Sequence, residues 1–394
     1  MRICLFVCLL SICPAEEPVN VRLKIEHKPS IAGKSKDWDW WHARTAAVPQ
    51  TDTHGAFLLT TMSESGRYVS HDFHDIFQMV SHDHGQSWTK PAVVEPLKRR
   101  KLSNGYEVAA GDMWPTWHAK SGKVLITGKT FNFENGKKEN NRLEQVSWAV
   151  LDPATMKWSQ LQFLELPEKD HSGAPIIACN AGNNQRVDLP NGDILLPIRY
   201  WRNPGRNYVT AVARCSFDGT TLKYVNHGTE MTIESNRGLY EPSLTEFKGA
   251  FFLTMRADKS GWVARSSDGQ TFEPIQEWKF DDGRLLGSYN TQQHWITTSS
   301  GLFLVYTRRG ADNDHIFRHR APLFIAQVDP ATLRVIRKSE RILLPENQAT
   351  LGNSGICRVS DTESWVTCGE GLLRLGERKK ELNKVLFVKV TEVE

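Results

Sequence analysis

One turn, written several times at nearly constant spacing, constrains this chain more than any other feature of its sequence. Ser81-His82-Asp83-His84-Gly85-Gln86-Ser87-Trp88 reads S-x-D-x-G-x-S-W. Shortened copies follow at Ser216-Phe217-Asp218-Gly219-Thr220 and Ser266-Ser267-Asp268-Gly269-Gln270-Thr271-Phe272. Two looser relatives, Asp152-Pro153-Ala154-Thr155 and Asp329-Pro330-Ala331-Thr332, continue the series. The aspartates at 83, 152, 218, 268 and 329 are 69, 66, 50 and 61 residues apart. A carboxylate in such a turn accepts backbone N–H bonds, glycine takes the positive φ, and the aromatic packs beneath. The role is structural, so Asp83, Asp218 and Asp268 are set aside as catalytic candidates. Their period suits one four-stranded blade, and the chain has room for about six.

The rest of the sequence agrees with an all-β reading. Apolar runs are short, many alternate in polarity, and most stop at Gly, Asn, Asp or Pro; Ala56–Thr61, Lys123–Thr127, Phe251–Met255, Leu302–Thr307 and Val385–Val390 are examples. Asp188-Leu189-Pro190-Asn191-Gly192-Asp193 reads as a hairpin turn. The expected architecture is a six-bladed β-propeller over residues 16–394, one domain, closed by pairing of Val21–Glu26 with the Val385–Val390 region. Closure removes free sheet edges, which explains strand character at both ends of the chain.

Residues 1–15 read as an export signal: Arg2, an apolar run Ile3–Ile12, then Pro14-Ala15. The run is too short for a membrane span, and no other stretch reaches eighteen apolar residues. A lipid anchor at Cys13 is disfavoured because the bulky Ile12 precedes it. Export would permit a disulfide between Cys357 and Cys368, which flank a turn, with buried thiols as the alternative. Forty-nine Lys and Arg against 45 Asp and Glu leave a net charge of only +4, spread along the chain apart from Lys98–Lys101. Nucleic-acid binding is therefore not expected. Thirteen Trp suit both β cores and sugar-stacking platforms. His71-Asp72-Phe73-His74-Asp75 and His82-Asp83-His84 match no zinc or calcium spacing, so no metal or other cofactor is expected.

Over nearly everything after residue 15, the chain resembles the sialidase-like propellers, the family with Asp-box repeats. The resemblance implies a central pocket in which three arginines grip a substrate carboxylate, an Asp acts as acid/base, and a Glu activates a nucleophilic Tyr. Trp41-His42-Ala43-Arg44-Thr45-Ala46 resembles the opening strand and marks Arg44 as the first arginine. Tyr240-Glu241-Pro242-Ser243, then Phe252-Leu253-Thr254-Met255-Arg256, resembles the strand pair carrying the Glu and the second arginine. Arg320-Ala321-Pro322-Leu323-Phe324-Ile325 resembles the third. Asp72 and Asp75 compete for the acid/base, with Asp72 nearer the expected place. The departure is the nucleophile. The last tyrosine of the chain is Tyr306, and Asn353 stands where the family's Tyr would fall.

With the export signal, the resemblance implies an exported glycoside hydrolase acting on an acidic, sialic-acid-type glycan. Three guanidiniums give planar, multidentate carboxylate recognition that Lys cannot match. Without the tyrosine, an inverting reaction would need only an acid and a base activating water. Tyr240, His294 and the two histidines of Asp312–His319 are further polar candidates, and Gly111-Asp112-Met113-Trp114-Pro115-Thr116-Trp117-His118 would line the pocket mouth or fill a blade. A lyase on uronic-acid glycans, using an arginine with His294, His315, His319 or Tyr240, and a non-catalytic glycan binder are the alternatives.

Overall fold

The computed structural model describes residues 20–33, 38–66, 73–103, 105–139, 143–235, 237–351, 353–371 and 383–393. The export-signal segment and Asp72 lie outside them. Strand pairing groups the described residues into six antiparallel sheets. The first comprises Trp38–Val48, Phe57–Gly66, Phe73–Ser81 and Ala92–Val93. The next four begin at the inner strands Glu107–His118, Ile177–Asn180, Tyr240–Phe247 and His294–Thr297. The sixth runs Gly355–Arg358, Glu363–Glu370, Lys384–Val393 and finally Arg22–Ala32, so both ends of the chain share it. Ile25 pairs with Val390 and Lys28 with Phe387. Among the described residues no helix is long and apolar enough to cross a membrane.

Each sheet shares a buried apolar core with the next. Val48 and Leu59 meet Val124 and Leu151; Leu125 and Trp148 meet Ile198 and Val209; Leu195 and Val212 meet Leu244 and Leu253. Phe252 and Val263 meet Leu304 and Tyr306, and Ile296 and Val305 meet Val366 and Val388. Leu58 and Phe77 of the first sheet then pack with Trp365 and Phe387 of the sixth, closing the ring. The molecule is a β-propeller. Inner and middle strands are covered on both faces, which is why they read as near-continuous apolar runs rather than clean alternations. The outermost strand, Arg22–Ala32, is half solvated and carries Lys24, Glu26, Lys28 and Pro29, residues that blunt a free edge.

The repeated turns tie neighbouring sheets together. Asp83 Oδ1 accepts the Ser87 N–H at 2.9 Å and the Ser81 hydroxyl at 2.8 Å. Asp268 accepts the N–H groups of Gln270 and Thr271 at 2.8 and 2.6 Å, and Asp218 those of Thr220 and Thr221 at 2.8 Å each. Trp88 stacks on Phe387 with ring centroids 4.8 Å apart. The four described cysteines are all buried free thiols. Cys357 faces Trp365 in the hairpin, not Cys368, so the disulfide register does not arise.

Gly85 has φ of +77°, and a Cβ there would lie 2.1 Å from the Trp365 ring. Gly136 has φ of +75° with open space around it. Gly85→Ala should therefore cost about 1–3 kcal/mol more than Gly136→Ala, whose backbone strain is similar. Urea unfolding of the two variants measures the difference; equal losses would show that the turn does not depend on its seat against Trp365.

Candidate functional site

The inner strands do not run straight. Register slips occur between Trp41 and Arg44, Gly111 and Trp114, Ile177 and Asn180, and Tyr240 and Ser243. Inside each slip sits a residue in the left-handed region: His42 (φ 52°), Asp112 (52°), Ala178 (51°) and Glu241 (47°). In the fifth and sixth sheets Asn290 (51°) and Asn353 (70°) hold the same conformation just before the inner strands. Bulges of this kind re-aim a side chain. Glycine would suit the backbone at all six places, yet the chain keeps polar side chains at five of them. His, Asp and Asn tolerate positive φ better than most, but Glu241 gains nothing locally and points to use of its side chain.

These side chains build one charged cluster at the channel mouth. His42 Nδ1 lies 3.1 Å from Asp112 Oδ1 without making a hydrogen bond to it. Lys129 Nζ reaches both Asp112 and Glu144 at 3.3 Å. Glu144 also accepts from Asn180 Nδ2 at 2.6 Å and from Arg199 at 3.2 Å. Arg199 lies over Tyr208, whose ring leans on Tyr240. Arg256 donates to Glu241 and, at 2.7 Å, to Asn290 Oδ1, with its guanidinium over the Tyr240 ring. Arg320 donates to the Asn290 carbonyl at 2.8 Å. Asp258, toward the rim, accepts from Arg237 and from the Tyr240 hydroxyl at 2.7 Å.

Glu241 is the hub, interacting electrostatically with Arg44, Lys129, Arg199, Arg256 and Arg320. All five cations are buried, with Arg44 fully covered and Arg320 only 5% exposed. Three carboxylates, Asp112, Glu144 and Glu241, face them. The cluster therefore carries an excess of positive charge, which falls on Arg44, bonded only to carbonyl and amide oxygens, and on Arg320. Burial, then Arg256 and Arg318, lower its pKa to about 9. Among the described residues it touches no carboxylate, and its Nε is buried without a hydrogen-bond partner. Glu241 has its pKa lowered: burial alone would raise it, but Arg256 outweighs that.

The sequence-derived candidates separate into three groups. Arg256, Arg320, Glu241 and Tyr240 meet around Asn290. Arg44 joins the cluster from below: its guanidinium donates to the carbonyls of Ala43 and Asn353 and to Asn183 Oδ1 at 2.9 Å, and rests against Trp114. Gly355 makes the room, since a Cβ there would lie 2.3 Å from Arg44 Cδ. His294 is enclosed in the same floor, with Nδ1 bonded to Ser243 Oγ at 2.7 Å and its ring against Trp114. Asp75 does not join; its carboxylate accepts the Arg99 N–H at 3.0 Å. Asp72 lies outside the described residues, although the adjacent Phe73 packs against His42 with ring centroids 4.9 Å apart. Tyr240 is not activated. Burial, against the pull of Arg256 and Arg237, holds its hydroxyl protonated with a pKa of about 12.

His42, Asp112, Lys129, Glu144, Arg199 and Asn290 were not singled out from sequence. His42 and Asp112 interrupt apolar inner strands, Lys129 and Arg199 lie on the neighbouring strands and Glu144 and Asn290 in loops, and only Asp112 lay in a segment read as pocket-lining.

A cavity of about 610 Å³ opens at the other mouth of the channel, lined by residues following the kinks: Thr45–Val48, Trp114–Trp117 and Trp295–Thr297 among them. Its buried arginine, Arg186, is paired with Asp188 at 2.8 Å, so it lacks the unbalanced charge of the first mouth. Elsewhere His171, His227 and Glu230 place three donor atoms within 4.8 Å. Glu230 is already engaged by Arg202, by His227 Nε2 and by the His171 N–H, and the two imidazoles are stacked face to face. That arrangement is complete as an ion-pair network.

No protein-family model matches the chain, and no curated protein matches it. Solved structures do. A Dyadobacter fermentans protein of unknown function aligns with 94% of this chain and 99% of its own, at 11% identity and a TM-score of 0.58. Trypanosoma rangeli sialidase in complex with the inhibitor DANA aligns with 93% of this chain at 13% identity and a TM-score of 0.61. The Hadza microbial sialidase Hz136 aligns with 90% at 12% identity and a TM-score of 0.58. The chain spans 59% of the length of the trypanosomal protein and 66% of the Hadza one. At these identities the likeness establishes the propeller fold.

His42 should stay neutral well below the usual histidine range. Burial lowers its pKa from 6.5 to about 4; Asp112 and Glu241 oppose the shift, Arg44 and Lys129 add to it. Between those values the unfolded chain binds a proton that the folded chain refuses. His42 therefore makes stability fall as pH drops from about 6.5 towards 4. NMR titration of the His42 imidazole should show the neutral form at pH 5.5, and His42→Gln should flatten the stability profile over that interval. A midpoint near 6.5 would mean that the imidazole is solvated.

Proposed function

We propose that the chain is an exported glycoside hydrolase acting on an acidic, sialic-acid-type glycan, on a propeller of six blades, one for each sheet. The observation that carries this reading is Arg320, a buried guanidinium without a carboxylate partner beside Arg256. Like charges brought together in a dry site are costly unless an anion completes them. A sugar carboxylate is planar and accepts two parallel N–H bonds, which suits paired guanidiniums. Arg44, spent on two carbonyls and Asn183, acts in this reading as a fixed positive charge beneath the sugar rather than as a direct ligand. The fold shared with proteins named as sialidases supports the assignment only in general terms.

The reaction in this reading does not pass through a tyrosyl intermediate. Asn353 cannot act as an aryl nucleophile, and Tyr240 is protonated and held by Asp258. Glu241 is locked to Arg256 and serves to hold that arginine in place. Water is then the attacking group, with Asp72 as the candidate acid, and the export signal at residues 1–15 places the enzyme where extracellular glycans occur.

Arg320→Ala should cost roughly 2–5 kcal/mol of binding to an acidic sugar, with little change in Tm because the lost cation was unbalanced. Calorimetric titration with free sialic acid, and with a neutral hexose as control, measures this. Incubation with sialylated and with uronic-acid glycans tests the reaction. Released sialic acid supports the hydrolase, and an ultraviolet-absorbing unsaturated product would replace it with a lyase. Equal affinity of wild type and Arg320→Ala for the acidic sugar would remove its basis.

A further inference from the structure

We propose that Asn290 is the positioning residue of the acidic-sugar site. Its side-chain oxygen and its carbonyl hold three guanidiniums in place, and its neutral side chain leaves their charge to the ligand's carboxylate. The inference rests on the reading of the cluster as an acidic-sugar site and extends it from the cations to the group that sets them. Asn290 precedes the fifth inner strand in the left-handed conformation, and its N–H donates to the Ala257 carbonyl at 2.9 Å. That bond seats it against the residue between Arg256 and Asp258. Its Oδ1 accepts from Arg256 at 2.7 Å and from Arg237 at 2.9 Å, and its main-chain carbonyl accepts from Arg320 at 2.8 Å. A guanidinium nitrogen can only donate, so the amide oxygen and not the amide nitrogen faces the two arginines. One residue thus fixes cations from both sides of the junction between the fourth and fifth sheets.

The backbone alone does not select this residue. A left-handed position admits Asn, Asp or Gly. Glycine would keep the carbonyl bond to Arg320 and lose both bonds of the side chain. Aspartate would keep every bond in nearly the same shape and make two of them charge-assisted on both partners, hence stronger. Local charge does not exclude aspartate either. Arg237, Arg256, Arg318 and Arg320 repel one another across this side of the mouth. The carboxylates facing them are Glu241, bound by Arg256, and Asp258, bound by Arg237, so a third carboxylate would still leave the patch positive. Position 290 is half-buried, and a carboxylate there would keep part of its hydration. For stability the charged side chain is the better one. The amide is the side chain that orders the arginines without cancelling them, so a ligand carboxylate meets donors already in position and a charge still open.

The test uses the full chain, with calorimetric titration against free sialic acid and a neutral hexose, and thermal unfolding of the same samples. Wild type should bind the acidic sugar in preference to the hexose. Asn290→Asp should raise Tm and lower the affinity for sialic acid by roughly 30-fold or more, because the installed carboxylate takes the place of the ligand's. Asn290→Gly deletes two bonds but keeps the left-handed backbone, the Arg320 contact and the open charge. It should lower Tm and lose only about tenfold in affinity. The variant that keeps the bonds thus binds worse than the one that lacks them. A merely structural role gives the reverse order, and that order would overturn the inference. So would an Asn290→Asp protein that binds sialic acid within about threefold of wild type, or one that loses both Tm and affinity. Each of these leaves the acidic-sugar reading intact, since wild type still binds. If wild type itself binds no acidic sugar, that reading falls first, and this one with it.

Discussion

The charged mouth depends on a defect in regular structure. A propeller's inner strands face the axis with alternate residues, and in a straight strand those side chains would project across the channel and fill it. A single left-handed residue per strand breaks that pattern. It slips the register by one position, turns a side chain up toward the mouth, and returns the strand to its apolar course below. Arg44, Trp114, Ser243 and His294, just beyond the kinks or at the strand start, then form a closed floor. His42, Asp112 and Glu241, at the kinks themselves, stand above it. The backbone strain is of order 1–3 kcal/mol at each non-glycine position, and it is held by sheets covered on both faces.

The floor and the mouth are electrically different for a physical reason. Arg44 lies on the floor and is matched to two carbonyls and Asn183, so it needs nothing further. Arg199 and Lys129 share Glu144 and Asp112 and are balanced in pairs. Arg256 has Glu241. What remains without a carboxylate contact is Arg320, repelled by Arg256 and Arg318, attracted by Glu241 and bonded to a backbone carbonyl. A fold optimised for stability alone would not keep a guanidinium there, since one well-packed apolar side chain would avoid both its desolvation and its repulsion from Arg256. The cavity at the opposite mouth offers the contrast. Its buried arginine is neutralised by Asp188, so it carries no comparable demand for a ligand.

The legibility of this chain follows the range of the interactions involved. The Asp turns are local, closed within four or five residues, and their carboxylate-to-backbone bonds could be read directly from Ser81–Trp88 and Ser266–Phe272. Strand character at both termini was readable for the same reason, and the pairing of Ile25 with Val390 follows from it. Glu241 and Arg256 share one hairpin, so their meeting was also within reach of a sequence argument. His42 and Asp112 come from different sheets, and nothing in their local sequence announces a bulge, because His and Asp are ordinary residues in an ordinary strand context. Arg44 was legible as a residue but not in its use; that its guanidinium is consumed by Asn183 and the Asn353 carbonyl is a tertiary fact. The Cys357–Cys368 spacing misled because a hairpin's register, rather than its loop length, decides which residues face each other.

The absent tyrosine and the bound Arg44 are two sides of one rearrangement. Asn353 occupies the left-handed position before the sixth inner strand, and its own carbonyl accepts the Arg44 guanidinium. An aromatic nucleophile rising from that strand would need the carboxylate of Glu241 free to take its proton, yet Glu241 is committed to Arg256 and surrounded by four further cations. With so much positive charge around it, its pKa is held low and it is a poor proton acceptor.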